Sequence, residues 1–372
     1  MQPDVALSVV VTNYNYGRFV ATAIESVLCD EPADVEVVVV DDGSTDGSLE
    51  VLATFGERIR LVTQPHQGMA AAFTTGFHNS HGRWIVFLDA DDALLPGAAA
   101  KILAAAKDVI RVQWQTCETD AALRPTGRLV PSYPPTAGDV RALIERDGPF
   151  GVVNAHGCGT AWSREFLASA FPIPVPDFAV HCDAYLATLA CLAGPSAVLD
   201  EPLSLYRVHG SNDYAGRSVA EQASRTLHVY RLRCSLISER TGVSVARWQA
   251  GNPHHDWLAQ LERGCAELAE LIPAGARYVL LDEDQWAAGK QLLPQRTNVT
   301  FPEAEGTYAG PPADDRRAAE EMRRVIMGGI SHVVVAQPAR WWTECYPELF
   351  RAVCAAGPLV RESDLVRVHS VG

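Results

Sequence analysis

The chain has 372 residues, 48% hydrophobic and 20% charged, a balance that suits a globular protein of two or three domains with a sizeable core. With 31 Lys and Arg against 45 Asp and Glu the formal charge is −14, which repels phosphate backbones and excludes nucleic acid as the main partner. No run approaches the ~18 apolar residues that cross a bilayer, and Met1-Gln2-Pro3-Asp4 lacks the basic-then-apolar order of a signal peptide. A cytoplasmic protein is expected, with peripheral attachment to a membrane left open. The nine cysteines form no CxxC pair. Cys29, Cys191, Cys234 and Cys265 sit among apolar neighbours and read as buried free thiols, not zinc ligands.

From Leu7 to about Ile110 strands and helices alternate. Leu7–Thr12 is β-rich, and Phe19, Ala23, Ile24, Val27 and Leu28 then recur at helical spacing. Val35–Val40 is β-branched apart from Glu36, as in a strand buried on both faces. Ser44-Thr45-Asp46 can cap a helix with Leu49, Leu52 and Phe55 inward. Ile59–Thr63 reads as a strand, Met69 to Phe77 as a helix, Trp84–Leu88 as a strand, and Pro96–Lys107 as a helix begun by Pro96. This order predicts an α/β domain with a mostly parallel central sheet. Residues 111–210 are less regular, with proline clusters at Pro131–Pro135 and Pro172–Pro176. A helix near Asp183–Leu192 and a strand at Ala197–Leu199 stand out. Two amphipathic helices follow, lined by Leu227, Tyr230, Cys234 and Ile237, and by Leu258, Leu261, Cys265 and Leu268. From Pro273 onward strands at Tyr278–Leu281 and His332–Val335 flank a helix at Asp314–Met327. Leu359–Arg361 and Leu365–Val368 can form a hairpin.

The chemistry gathers at strand ends. Leu88-Asp89-Ala90-Asp91-Asp92 packs three carboxylates after a strand, a costly arrangement unless a cation or hydrogen-bond donors compensate. Hard oxygen ligands suit Mg²⁺ or Mn²⁺, which bridge diphosphate oxygens; a solvated turn is the plain alternative. Asp41-Asp42-Gly43-Ser44-Thr45-Asp46 follows Val35–Val40, and Gly43 allows a tight turn there. Its carboxylates can accept from a base or a ribose, or cap the next helix. Thr12-Asn13-Tyr14-Asn15 follows the first strand, and Tyr14 can stack on a base. Open α/β sheets bind ligands where such strand ends converge.

These segments resemble the family-2 glycosyltransferases of GT-A fold. The match runs in order through Ser8–Asn15, Val39–Asp46 and Phe87–Asp92 to Leu205-Tyr206-Arg207-Val208-His209-Gly210-Ser211-Asn212, about residues 7 to 215. The resemblance implies an inverting transferase that moves a sugar from a nucleotide-diphosphate donor to an acceptor hydroxyl by metal-assisted single displacement, a UDP-sugar being the expected donor. It implies that Thr12, Tyr14, Asp41, Asp42 and Asp89 hold the nucleotide, with Asp42 facing the base. It makes Asp91 and His209 the groups for Mn²⁺ or Mg²⁺, and Asp183 the base that deprotonates the acceptor, with Asp177 as the fallback. The acceptor is a glycan, lipid or small molecule. Residues 1–215 would form the GT-A domain, 216–272 a helical connector, and 273–372 a small α/β domain that orients or recruits the acceptor.

Three positions depart from the family pattern. Cys182 stands where the family has the first acidic residue of a pair. Ala71-Ala72-Phe73 replaces an arginine–asparagine pair. Gln337-Pro338-Ala339-Arg340-Trp341 spells a motif of processive synthases, but far from Asp183, and reads as coincidence. Several other segments each have a ligand reading and a plain structural one. His156-Gly157-Cys158-Gly159-Thr160 can face the acceptor or be a turn, and His66-Gln67-Gly68 can edge the donor site or start a helix. His254-His255-Asp256 reads as a helix start and Asp282-Glu283-Asp284 as a solvated turn. A nucleotidyltransferase would show a glycine-rich basic loop near the N-terminus, where Thr12–Arg18 holds one glycine and one arginine. A haloacid-dehalogenase-like phosphatase would have Thr or Val where Ala93 stands. A catalytically silent sugar-nucleotide-binding module is the other alternative, against which the set Asp89, Asp91, Asp183 and His209 argues.

Overall fold

The computed structural model describes residues 5–29, 34–174, 177–210, 212, 217–249, 252–304 and 307–372. Met1–Asp4, Pro176, Ser211 and the boundary expected between 215 and 216 lie outside the described residues. The chain divides into two compact units, Met1–Ser211 with Val229–Trp248, and Asn212–His228 with Gln249–Gly372.

The first unit runs β1 (Leu7–Asn13), α1 (Gly17–Leu28), β2 (Val35–Asp41), α2 (Ser48–Ala53), β3 (Arg60–Thr63), α3 (Met69–Asn79), β4 (Trp84–Asp89), β5 (Ala93–Leu94) and α4 (Ala98–Ala105). It continues with β6 (Arg111–Thr119), β7 (Pro125–Val130), α5 (Arg141–Asp147), β8 (Thr160–Ser163), α6 (Arg164–Ala170), α7 (Cys182–Ala193) and β9 (Ser196–Arg207). Its strands form one sheet of order β3-β2-β1-β4-β8-β6-β9-β5, with β7 paired to β6. β3, β2, β1 and β4 are parallel, as are β6 and β9, whereas β8 is antiparallel to both β4 and β6.

The β-branched runs explain the central strands. Val9, Val11, Val37, Val39, Val86 and Leu88 pack one face against Val20, Ile24, Leu52 and Ile102. Val10, Val38, Val40, Ile85 and Phe87 pack the other against Phe73, Phe166 and Leu186. Alternate residues thus point to opposite faces, and both faces are covered by helices, which is why no polar alternation shows in the sequence.

Some local expectations need correcting. Leu49 is 41% exposed, because the six-residue α2 turns Ser48 and Leu52, not Leu49, into the core. Cys29 is exposed where α1 ends, whereas Cys158 and Cys182 are buried. Pro96 stops short of α4, which starts at Ala98 after Gly97 in the left-handed conformation. The irregular stretch after Ile110 contains the nine-residue β6 and the twelve-residue β9.

The long helix α8 (Val219–Thr241) contributes residues to both units, and α9 (Ala246–Gln249) precedes α10 (Pro253–Leu271). Asn252 caps α10 by accepting from the His254 and His255 N–H groups, so His254-His255-Asp256 is a helix start. The second unit continues with β10 (Arg277–Leu281), β11 (Thr297–Thr300), β12 (Glu303–Ala304), β13 (Thr307–Tyr308), α11 (Asp315–Met327), β14 (His332–Ala336), α12 (Trp342–Cys345), α13 (Pro347–Ala356), β15 (Leu359–Glu362) and β16 (Val366–Ser370). Its main sheet has the order β11-β10-β14-β16-β15, with β10 parallel to β11 and β14, and the last two strands form the expected hairpin. Asp282 is buried at the end of β10 and accepts from the N–H groups of Asp284, Trp286 and Ala287, so it is a folded turn rather than a solvated one. No helix among the described residues is long and apolar enough to cross a membrane.

Candidate active site

The register of the parallel strands sets the site. Asn13 of β1 pairs with Asp41 of β2, and Thr12 pairs with Asp89 of β4, so three polar strand ends emerge level with one another. The first turn is stapled by Asp41. Its carboxylate accepts from Asn13 Nδ2 at 2.7 Å, from the Ser44 N–H at 3.0 Å and from Ser44 Oγ at 2.6 Å. Asn15 Oδ1 accepts from the Thr45 N–H at 2.7 Å, and Asp46 accepts from the Gly17 N–H at 2.9 Å. Gly43 has φ +76°, and a Cβ there would fall 2.7 Å from the His66 nitrogen, so the turn requires glycine.

Asp42 points to the neighbouring edge. It accepts from Gln64 Nε2 at 2.6 Å and from the N–H groups of Gln67 and Gly68 at 3.0 and 2.8 Å, and lies 2.8 Å from His66 Nδ1. His66 in turn stacks on Tyr14, with ring centres 3.9 Å apart and planes 16° from parallel. The rings are in contact, and Tyr14 remains 41% exposed. His66-Gln67-Gly68 thus both leads into α3 and closes over Asp42.

At the end of β4, Asp89, Asp91 and Asp92 each offer an oxygen, and these atoms all lie within 4.8 Å of one another. Burial first, and then the charges of Asp91 and Asp183, push the Asp89 carboxyl up to about 7, against a hydrogen bond from Thr12 Oγ1 at 3.3 Å. Burial and the charges of Asp91 and Asp89 push Asp92 well up too. Asp92 Oδ1 accepts from the Arg207 N–H at 3.0 Å, and Arg207 Nε donates to the Asp91 carbonyl at 2.7 Å. Arg207 thereby ties β9 to the acid turn while its guanidinium lies over the Phe19 ring. His209 Nε2 is 3.0 Å from Asp91 Oδ2, and its side chain is only 1% exposed, packed on Phe19 and Tyr16. Three hard carboxylates with an imidazole beside them, of which burial and neighbouring charge hold Asp89 and Asp92 back from ionising, fit a divalent cation such as Mg²⁺ or Mn²⁺.

Asp183 stands in the first turn of α7, half-buried, with Oδ1 accepting from the Ala184 N–H at 2.8 Å. Its charge reaches Asp89, so the structure brings it to the acid cluster. Cys182, which stands where the family has the first acidic residue of a pair, is fully buried. Asp177 is exposed, and no contact among the described residues ties it to the cluster. Three further neighbours lie in segments the sequence singles out, though it gives none of them a role of its own. Cys158 makes a side-chain hydrogen bond to Asp92, and Gly157 comes near enough that a Cβ would lie 3.9 Å from Asp89 Oδ2. Burial and the charges of Asp92, Asp91 and Asp89 push the Tyr206 hydroxyl well above its ordinary value. Tyr206 lies in the Leu205–Asn212 motif, and Gly157 and Cys158 lie in the His156–Thr160 segment that could face the acceptor or be a plain turn.

The model of the family "Glycosyl transferase family 2" matches residues 8–138. The uncharacterized glycosyltransferase alr2836 of Nostoc sp. (strain PCC 7120 / SAG 25.82 / UTEX 2576) is 31% identical over 228 residues, 59% of this chain and 70% of its own. EpsH of Bacillus subtilis (strain 168), which also carries a glycosyltransferase name, is 28% identical over 311 residues, 79% of this chain and 82% of its own. The mannosyltransferase PcManGT from Pyrobaculum calidifontis, in complex with GDP-Man and Mn²⁺, aligns over 72% of this chain and 76% of its own at 18% identity. The TM-score of that alignment is 0.46. The motif order, the matched family model and the length of the Nostoc match agree: the chain belongs to glycosyltransferase family 2 and is a glycosyltransferase of GT-A fold.

Proposed function

We propose that the chain transfers a sugar from a nucleotide-diphosphate donor to an acceptor hydroxyl, with inversion, at the site centred on Asp89, Asp91 and Asp183. The observation that carries this is the crowding of Asp89, Asp91 and Asp92 at the end of β4, with Asp183 in electrostatic reach. Asp91 and Asp89 would hold Mn²⁺ or Mg²⁺, with His209 beside Asp91. A divalent cation there supplies charge to offset the departing diphosphate, which the acidic chain otherwise repels. Thr12, Tyr14 and Asp42 would hold the nucleoside, a uridine in this reading. The contacting Tyr14 and His66 rings leave a base two options: it stacks on an outer face or parts the rings. Asp41 staples the turn that carries these groups. Asp183 would take the proton from the acceptor hydroxyl as its oxygen attacks the anomeric carbon.

Residues 1–215 in this reading carry the donor site, 216–272 connect, and 273–372 orient a glycan, lipid or small-molecule acceptor. The protein would work in the cytoplasm or at the inner face of a membrane. Donor hydrolysis followed by NMR tests the central step. The first-formed sugar should have the anomeric configuration opposite to the donor's, and retention would rule out a single displacement.

A further inference from the structure

One face of β6 breaks the apolar rule of the core. Arg111 is 1% exposed and Gln113 fully buried, two residues apart and therefore on the same side of the strand. Arg111 donates from Nε to Ser196 Oγ at 2.6 Å, from Nη1 to Asn154 Oδ1 at 2.8 Å, and from Nη2 to Cys191 Sγ at 3.3 Å. Gln113 Oε1 accepts from the Ala155 N–H at 3.1 Å. From α8, Arg233 Nε donates to Thr188 Oγ1 of α7 at 2.8 Å, and Arg233 and Arg111 are close enough for their charges to interact. Asn154 therefore links β6 to the flank of α7, its Oδ1 accepting from Arg111 and from Cys191 Sγ, while the Ala155 N–H donates to Gln113.

This recess is out of balance in two ways. Gln113 Nε2, Arg233 Nη2 and His156 Nδ1 are buried without a hydrogen-bond partner, and the first two are donors. Two guanidiniums meet the same stretch of α7, at Ala187, Thr188 and Cys191, yet their hydrogen bonds go only to neutral oxygens and a thiol. Water can satisfy a donor but cannot neutralise a buried cation pair, which ordinarily carries a carboxylate or another anion. Among the described residues Asp183 is the one carboxylate whose charge reaches Arg233, and it is also the group that reaches Asp89. Asn154, His156 and Arg233 are only half-buried, so the cluster extends from the buried face of β6 towards the surface.

We propose that the recess formed by Arg111, Gln113, Asn154, His156 and Arg233 binds an oxyanionic group, a carboxylate or a phosphate, borne by the acceptor. The acceptor is thereby an acidic molecule, its charge anchored on the Arg233 side of Asp183 and its hydroxyl presented to that carboxylate. This assignment rests on the glycosyl-transfer reading only for calling the ligand the acceptor. The charge imbalance stands without it.

The test uses the full chain in metal-free buffer, with melting temperature read against inorganic phosphate, glucuronate and glucose. Wild type is compared with Gln113→Glu and Arg233→Gln. Gln113→Glu keeps the shape and the acceptor for Ala155, and supplies the missing charge from within. The expected result is that phosphate or glucuronate raises the wild-type melting temperature, glucose does not, and both variants bind the anion about tenfold or more weakly, the scale of one lost charge-assisted bond. Glucuronate without phosphate identifies a sugar carboxylate, and phosphate without glucuronate identifies a phosphoryl group; either supports the site. Gln113→Glu should also melt no lower than wild type, because the new carboxylate meets two arginines. Equal anion stabilisation of all three proteins, none in wild type, or a Gln113→Glu variant that melts lower overturns the proposal. The same proteins are titrated with nucleoside diphosphate and Mn²⁺. Loss of that shift in Gln113→Glu would make the recess part of the donor site and overturn the inference. Its absence in wild type would sink the donor reading and leave the anion result to stand alone.

Discussion

His209 Nε2 lies 3.0 Å from Asp91 Oδ2, joining the end of β9 to the turn after β4 across 118 residues of chain. The contact fixes the Asp91 carboxylate in the site and places an imidazole against it. His209→Gln should weaken Mn²⁺ binding by about 10- to 100-fold, the usual effect of removing an orienting partner. Calorimetric titration of Mn²⁺ checks this. An unchanged affinity would reduce the contact to packing on Phe19.

The acid cluster couples cation binding to pH. The folded Asp89 carboxyl is raised to about 7 from an ordinary 3.8, so between these values the folded state binds more protons than the unfolded one. Metal-free stability should therefore fall as the pH rises from about 4 through 7. Mn²⁺ should stabilise the fold more at pH 8 than at pH 6, because the cation replaces the proton. Asp89→Asn should flatten the metal-free profile and weaken the Mn²⁺ effect. Melting curves across pH with and without Mn²⁺ read both.

Glu36 gives the opposite slope. Burial raises its carboxyl, but hydrogen bonds from Ser8 Oγ, the His81 N–H and the His81 ring outweigh burial and leave it below its ordinary value. A depressed carboxylate stabilises the fold above the unfolded value of 4.5 and loses that contribution as the pH falls through the folded value. Glu36→Gln should cost about 1–2 kcal/mol at pH 7 and progressively less in acid, measured by urea unfolding. A constant cost at every pH would mean that packing, not charge, holds this corner.

Asp183→Asn separates chemistry from binding. As the proposed base it should lower transfer by about 10²- to 10⁴-fold while leaving the nucleotide-induced rise in melting temperature in place. A variant that transfers at the wild-type rate would return the base to Asp177 or to another carboxylate of the chain.

The parallel half of the sheet and the strand-end motifs were legible in the sequence because their signals are local. The run Val37–Val40 is buried as its apolar character requires, and the polar groups that follow each strand mark its end. β6 was missed, and β9 was read only at Ala197–Leu199, for a physical reason. Arg111 and Gln113 are buried polar residues where apolar ones announce a strand, and Asp200-Glu201-Pro202 interrupts β9 where its register with β6 shifts. The polar face that hid β6 is the face that now reads as an anion subsite, in keeping with the tendency of functional sites to break local rules. Contacts such as Cys158 on Asp92 and His66 on Asp42 join distant segments, and no spacing rule reports them.

The most direct test of the donor site is a melting-temperature panel of UDP, GDP, dTDP, ADP and CDP, each with and without Mn²⁺, on wild type and Asp91→Ala. One nucleotide, UDP foremost, should give a shift that requires Mn²⁺ and vanishes in Asp91→Ala. A shift that survives in Asp91→Ala, or no shift with any nucleotide in folded wild type, would contradict a metal-dependent donor site at Asp91.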